Sequence, residues 1–291
     1  MAQERWLIMP GDSKTIDLEV VRKLKVSLIG GQVDVIGHDE PTARVEVTNV
    51  AGKELKVSID GDVLEVDHPQ WRWDNFIEAF RSWRGKAQAD VTILVPRDVA
   101  LTLGVISATA LVSGLVTDAK LNAVSGEITT NGLIGDVDLN TVSGEFTARD
   151  HRGEVAAHTV SGDVTVSGSV PKFSVDSVSA NIYLDLFDVP YDVRTNSVSG
   201  DVTLRIDESV GVRYRINTVS GVAHLDGSTI VRGSMGKTFT HQTGSLEGRW
   251  LDMSVNSVSG NLSVVRRPAG STAADTPGTT LNDEDAADGA A

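Results

Sequence analysis

Four acidic residues recur at matching places: Glu127, Glu145, Asp163 and Asp201, each two positions after a serine, with Asn181 in the copy between the last two. Carboxylates stacked about 4.8 Å apart repel by about 1 kcal/mol in a water-like dielectric. A divalent cation could relieve that repulsion, since paired carboxylates make oxygen ligands. The competing reading is a solvated acidic stripe whose side chains splay apart. The glycine–aspartate nonapeptide of calcium-loaded β-rolls is missing, so the stripe is the stronger reading and no metal or cofactor is assigned.

The serines themselves invite a nucleophile. Ser107, Ser125, Ser143, Ser161, Ser179, Ser199, Ser220 and Ser259 fall in one register. A triad needs one serine, one base and one orienting group, whereas equivalent serines make a structural ladder. No histidine shares a recurring offset with them, and His151 and His158 are spaced as no common metal motif is. The chain has no cysteine, which removes disulfides, thiolate zinc sites and cysteine nucleophiles. No glycine loop is built to cradle a phosphate. An acid constellation in a groove walled by the longer loops, around 186–194, 205–214 and 226–241, keeps a carbohydrate-active enzyme as one alternative.

What positions these columns is a repeat. The serines fall at intervals of eighteen residues, then twenty and twenty-one, and a last gap of about two repeats holds a degenerate copy, THQTGSL at 240–246. A fixed short period marks a solenoid in which one repeat makes one coil. Three places after the serine come Ile128, Phe146, Val164, Ile182, Val202 and Leu262, and two places further Val166, Leu184, Leu204, Leu225 and Val264. Polar residues such as Thr129, Thr147, Thr165 and Thr203 alternate with them, so this is a strand with one inward face. Val137 with Leu139, Phe173 with Val175, Tyr214 with Ile216 and Met253 with Val255 mark a second strand per coil.

The valine of the VSG word is expected to plug the corner. Three places before the serine stand Asn122, Asn140, Asn196, Asn217 and Asn256, with His158 and Asp176 as departures. Asparagine tolerates a sharp bend, and its amide can bond the same amide one coil away. The following glycine frees the turn. The sequence therefore predicts an all-β protein: a parallel β-solenoid of about 18–21 residues per coil, right-handed by the twist of parallel crossovers.

Three regions follow. Residues 1–100 form a β-rich N-terminal region that caps the open first coil, residues 101–265 hold the solenoid repeats, and residues 266–291 read as a disordered tail poor in large apolar residues. One piece departs from the strand pattern. HPQWRWDNFIEAFRSWRGK, 68–86, spaces Trp73, Phe76, Ile77, Phe80 and Trp83 as a short amphipathic helix would. Its apolar face either caps the solenoid or stays open as a partner-binding patch of Trp71, Trp73, Phe76, Phe80 and Trp83. Arg72, Arg81, Arg84 and Lys86 add charge that suits a peripheral membrane contact.

A formal net charge of −14 argues against nucleic acid as a partner, and the adjoining Arg266 and Arg267 are too few to reverse it. No apolar run has the length of a secretory signal or a membrane span, so a cytoplasmic location is the default and a surface location stays open.

The leading β region, the Val95–Pro96 pair before the first regular coil and the serial N-[TS]-VSG-[DE]-[VIF]-T words resemble the bacterial β-strand-repeat family called "putative adhesin", over about residues 10–265. That resemblance implies a surface-binding role, a link to the cell envelope in some relatives, and no catalytic residues. The functional expectation is a non-enzymatic, adhesin-like binding scaffold whose partner is a protein or an envelope or glycan surface. The alternatives are a self-associating, bactofilin-like structural protein and the carbohydrate-active enzyme.

Overall fold

The computed structural model describes residues 3–68, 87–227, 229–232 and 238–268. Every regular element in them is a β-strand, and together they build two 13-stranded sheets. No helix among these residues is long and apolar enough to cross a membrane. The helix expected within 68–86 lies, apart from His68, outside the described residues.

Each coil contributes one strand to each sheet. The first sheet stacks β9 (Ala100–Val105), β11 (Ala119–Ala123), β13 (Val137–Thr141), β15 (Val155–Ser161), β17 (Lys172–Ser179) and β19 (Asp192–Ser199) in parallel. The second stacks β10 (Thr109–Ser113), β12 (Glu127–Asn131), β14 (Glu145–Arg152), β16 (Val164–Ser169), β18 (Ile182–Leu186) and β20 (Val202–Asp207). Alternation dictates this arrangement. In β12, Ile128 and Thr130 are buried while Glu127 and Asn131 face solvent. The register sets like on like: Leu121 beside Leu139, and Ile128 beside Phe146 beside Val164. The inward columns from both sheets meet in one core running from Ile8 to Val264.

The stack does not follow chain order at either end. β25 (Trp250–Ser259) lies between β19 and β21 (Gly211–Ser220), and β26 (Leu262–Arg267) lies between β20 and β22 (Val222–Leu225). The last coil of the sequence is thus inserted before the one that precedes it. The segment 240–246, expected as a degenerate coil, does not form one. It contributes to β24 (Thr238–Thr243), an antiparallel edge strand on β21. Its TFTHQT pattern offers one large apolar residue, Phe239, where a coil strand needs two inward ones. β23 (Thr229–Arg232) covers β22 in the same antiparallel way.

The opposite end is built similarly. β3 (Lys23–Leu28) and β4 (Gly31–His38) form a coil beside β9 and β10. β7 (Val63–Asp67) and β8 (Gln88–Pro96) stack outside it in parallel. Then β6 (Leu55–Asp60) and β1 (Gln3–Ile8) close the first sheet, and β5 (Ala43–Ala51) and β2 (Lys14–Leu18) close the second, all antiparallel. Both ends of the solenoid are therefore finished with antiparallel strands, which interrupts the parallel template that an open coil presents.

Arg266 and Arg267 belong to β26 rather than to a tail. Arg267 is buried against Asp185, with its guanidinium over the ring of Phe187. Arg266 pairs with Asp226, which also accepts the Tyr214 hydroxyl at 3.0 Å, and donates to the Val210 carbonyl at 2.7 Å. These contacts tie the displaced last coil to β18, across β20, and to the turn that follows β22. The two arginines make no basic surface patch.

Candidate functional site

The VSG words all lie along one edge of the solenoid, where each strand of the first sheet turns into the second. The serine stitches that edge. In the Ser107, Ser125 and Ser143 corners, the hydroxyl donates at 2.9–3.0 Å to the carbonyl of Ile29, Ile106 or Val124 one coil back. The same carbonyls accept the serine N–H at 2.7–2.8 Å. A hydroxyl committed to a backbone carbonyl is a structural donor, in keeping with the ladder reading of the serine column.

The glycine that follows is required by close approach as much as by turn freedom. A Cβ built on Gly162 would stand 2.3 Å from the Gly144 carbonyl oxygen, and one on Gly200 would stand 2.0 Å from that of Ala180. Both residues also have positive φ, 109° and 115°. The coils thus touch backbone to backbone at this edge.

The valine behaves differently from expectation. Ile29, Ala87, Ile106 and Val124 do form a small buried cluster at the edge. From Val142 onward, however, the valine faces solvent: Val142, Val160, Val178, Val198, Val219 and Val258 are 39–50 % exposed. Val124 is covered by Ile29, Ala87 and Ile106, and Val142 is exposed although its strand ends where that of Val124 does. β15, β17, β19, β21 and β25 stay extended through the serine, so strict alternation turns the valine outward while the threonine or serine before it faces in. In β13 the strand stops earlier, at Thr141, whose Oγ1 accepts the Gly144 N–H at 3.0 Å. The result is an unbroken apolar ridge, in spatial order Val142, Val160, Val178, Val198, Val258, Val219.

Two polar columns flank the ridge. On the first sheet the asparagine column forms a chain of side-chain hydrogen bonds. Asn217 donates to Asn256, Asn256 to Asn196, and Asn196 to Asp176, each at 2.8 Å, and His158 Nδ1 lies 3.3 Å from Asp176. Asn140 and Asn122 leave the chain and bond Asp138 and the Leu103 carbonyl. On the second sheet Glu127, Glu145, Asp163 and Asp201 line up as expected, but amides are interleaved with the later acids. Asn181 donates to Asp163 at 3.0 Å and Asn261 to Asp201 at 3.1 Å. Glu127 and Glu145 are direct neighbours without an amide between them, and among the described residues no group of three or more histidine or acidic side chains could hold a metal ion.

A shallow groove of about 550 Å³ runs along the ridge, with Val142, Val160 and Val178 on one wall and Asn140, His158 and Asp176 on the other. His151 does not join His158 there. It is fully buried on β14, and burial holds its imidazole below the ordinary histidine range. Trp71, Trp73, Phe76, Phe80 and Trp83 lie outside the described residues. The chain leaves at His68 and returns at Ala87, both at the VSG edge, where the Ile29 N–H donates to His68 Nδ1 at 3.4 Å.

Sequence reasoning missed a second concavity, on the edge where the second sheet returns to the first. Pro171, Val189, Tyr191, Gly248, Arg249 and Trp250 line a cleft of about 520 Å³ there. The only pointer in the sequence was Trp250, the one tryptophan late in the chain.

The family model Toastrack DUF4097 matches residues 21–265. No curated protein matches. Among solved structures, the chain is similar to a "putative adhesin" from Parabacteroides distasonis, 13 % identical, with a TM-score of 0.48 over 87 % of this chain and 96 % of that one. It is similar to a "putative lipid binding protein" from the same species, 12 % identical, with a TM-score of 0.47 over 90 % and 96 %. A "putative adhesin" from Bacteroides fragilis is 10 % identical, with a TM-score of 0.46 over 88 % and 99 %. With its repeats, its two parallel sheets and a family match spanning most of its length, the chain belongs to the Toastrack family.

Proposed function

We propose that this protein is a non-enzymatic, adhesin-like binding scaffold, and that the VSG edge is its contact surface. The observation that carries the reading is the valine ridge. Exposed apolar residues scattered singly are ordinary, but six in a row at strand spacing extend about 24 Å. A contiguous patch of that kind marks an interaction surface. The acids beside it favour a partner with basic as well as apolar groups, by charge complementarity. Eight serine corners held by backbone carbonyls or repeated in register support binding over catalysis. The antiparallel strands at both ends speak for a discrete scaffold over a bactofilin-like polymer, because growth by coil stacking needs an open parallel edge.

The finer architecture attached to this reading is a right-handed coil of about 18–21 residues, with residues 1–100 supplying the first coil layers and the cap, 101–265 the regular repeats, and the aromatic segment 68–86 a second contact. The partner is a protein or an envelope or glycan surface. Exchanging Val142, Val160 and Val178 for serine tests the proposal. These side chains are exposed, so the melting temperature stays within about 2 °C of the parent, as for surface changes. Partners retained by the immobilised parent from envelope and soluble fractions are lost by the variant. Retention of the same partners by the variant would remove the ridge from the account.

A further inference from the structure

We propose that the Tyr191–Trp250 cleft is a binding site for an acidic saccharide, a pyranose chain carrying carboxylates. This goes beyond the scaffold reading, because the cleft lies on the opposite edge from the valine ridge and shares no residue with it.

Two aromatic rings are presented there and both are held in place. Tyr191 is 52 % exposed, so its ring contributes little to the core. Its hydroxyl nevertheless donates to Glu154 Oε1 at 2.8 Å, and that carboxylate is also paired with Lys172 at 3.4 Å. Its backbone is fixed on both sides, with the N–H donating to the Pro171 carbonyl and the carbonyl accepting from Asp252. Trp250 carries the Arg213 guanidinium on its ring at 4.3 Å, and Arg213 is itself paired with Asp252. Rings immobilised before a ligand arrives cost no ordering on binding, and such stacked guanidinium contacts are stabilising in themselves. Pro171 and Val189 complete an apolar floor spanning three neighbouring coils.

The rim supplies charge. Of the residues that line the cleft Arg249 alone is charged; Lys172 and Arg213 stand beside it, paired with Glu154 and Asp252, and Asp136, Asp188 and Glu247 are its acidic neighbours. Glu154, Asp192 and Asp252 are engaged with cations or with Tyr191, Asp136 accepts the Glu154 N–H, and Asp188 accepts the Ser169 hydroxyl. Arg249 is exposed, lines the cleft and has no ion-pair partner among the described residues. A flat apolar face bordered by hydroxyls suits the aromatic walls, and a carboxylate suits a free guanidinium, which binds it bidentately. A pyranose uronate carries both. The volume falls within the usual range of ligand sites, about 300–1,000 Å³.

Oligogalacturonate and its fully methyl-esterified form make a matched pair, identical in sugar and differing in charge. Titrated into the full chain by calorimetry, the acidic form is expected to bind at least tenfold tighter than the ester. Arg249→Ala is expected to remove that preference, and Tyr191→Ala to weaken both forms at least tenfold, with circular dichroism and melting unchanged. The ridge variant V142S/V160S/V178S is expected to bind the oligosaccharide as the parent does, so failure of the scaffold reading and failure of this site are separately visible. Sialylated oligosaccharides and their carboxyl-reduced forms, run in parallel, extend the test to a second carboxylated pyranose. No binding to either acidic series, equal affinity for charged and neutral forms, or indifference to both single variants would overturn the proposal.

Discussion

Replacing Asn256 by alanine tests the displaced last coil through its hydrogen bonds. Asn256 accepts from Asn217 and donates to Asn196, both at 2.8 Å, across sequence separations of 39 and 60 residues. A net side-chain hydrogen bond contributes about 0.5–1.5 kcal/mol, and partial exposure places these in the lower half. Asn256→Ala removes two and should cost about 1–2 kcal/mol. Each of the pairs Asn196/Asn256 and Asn217/Asn256 should show a coupling of about 0.5–1 kcal/mol in a double-mutant cycle. Asn196 and Asn217 stand two strands apart, about 9.6 Å, so alanine at both should be additive within about 0.3–0.5 kcal/mol. Equilibrium urea denaturation of the four alanine combinations for each pair supplies the free energies. If coils stacked in chain order, Asn196 would couple to Asn217 and not to Asn256. That outcome would refute the insertion of β25 between β19 and β21.

Gly200→Ala should destabilise by about 1–3 kcal/mol or more, because the new Cβ meets the Ala180 carbonyl oxygen at 2.0 Å in a strained backbone region. Gly132→Ala, with φ of 64° and nothing within 4 Å, should cost only the left-handed backbone term of about 1–2 kcal/mol; equal losses in urea melts would show that inter-coil contact is unimportant. Buried His68 is held neutral down to about pH 4 by burial, with Lys53 acting in the same direction and Glu54 opposing. Because its folded pKa lies below the unfolded value of about 6.5, the unfolded chain takes up the proton first as pH falls. Stability is therefore full above about pH 6.5 and declines towards pH 4, by up to about 3 kcal/mol. His68→Gln should flatten that decline in urea titrations at successive pH values, and an unchanged slope would contradict it. His151, also buried, works in the same direction and should persist as the residual slope.

The coil was legible because a strand's inward face has only one kind of solution. Ile128, Phe146, Val164 and Ile182 recur at one offset, and each is buried at the matching register. The asparagine column was legible only in part, since Asn196, Asn256 and Asn217 satisfy one another while Asn122 and Asn140 bond other groups. Coil order was not. Asn256 fits beside Asn196 as well as beside Asn217, so a repeated word encodes what may neighbour what and leaves the sequence of neighbours to the loops. The side taken by the valine was equally hidden. Val124 and Val160 occupy identical words, yet one is buried among Ile29, Ala87 and Ile106 and the other exposed, and the word does not carry those neighbours. The second cleft escaped notice because Tyr191 and Trp250 belong to return corners, which carry no recurring word, and are brought together only by the inserted coil. The acid column stands in register, but the amides of Asn181 and Asn261 bond only Asp163 and Asp201 and leave Glu127 beside Glu145.

The central claim is that the valine edge is a contact surface in the cell. A photo-crosslinking benzoylphenylalanine placed at Val160, and for comparison at Tyr183 on the outer face of the second sheet, tests it most directly, since both side chains are exposed. Irradiation of living cells should give a discrete crosslinked product from position 160, lost when Val142 and Val178 are serine, and none from position 183. Products from position 183 alone, or no product at position 160, would contradict the account.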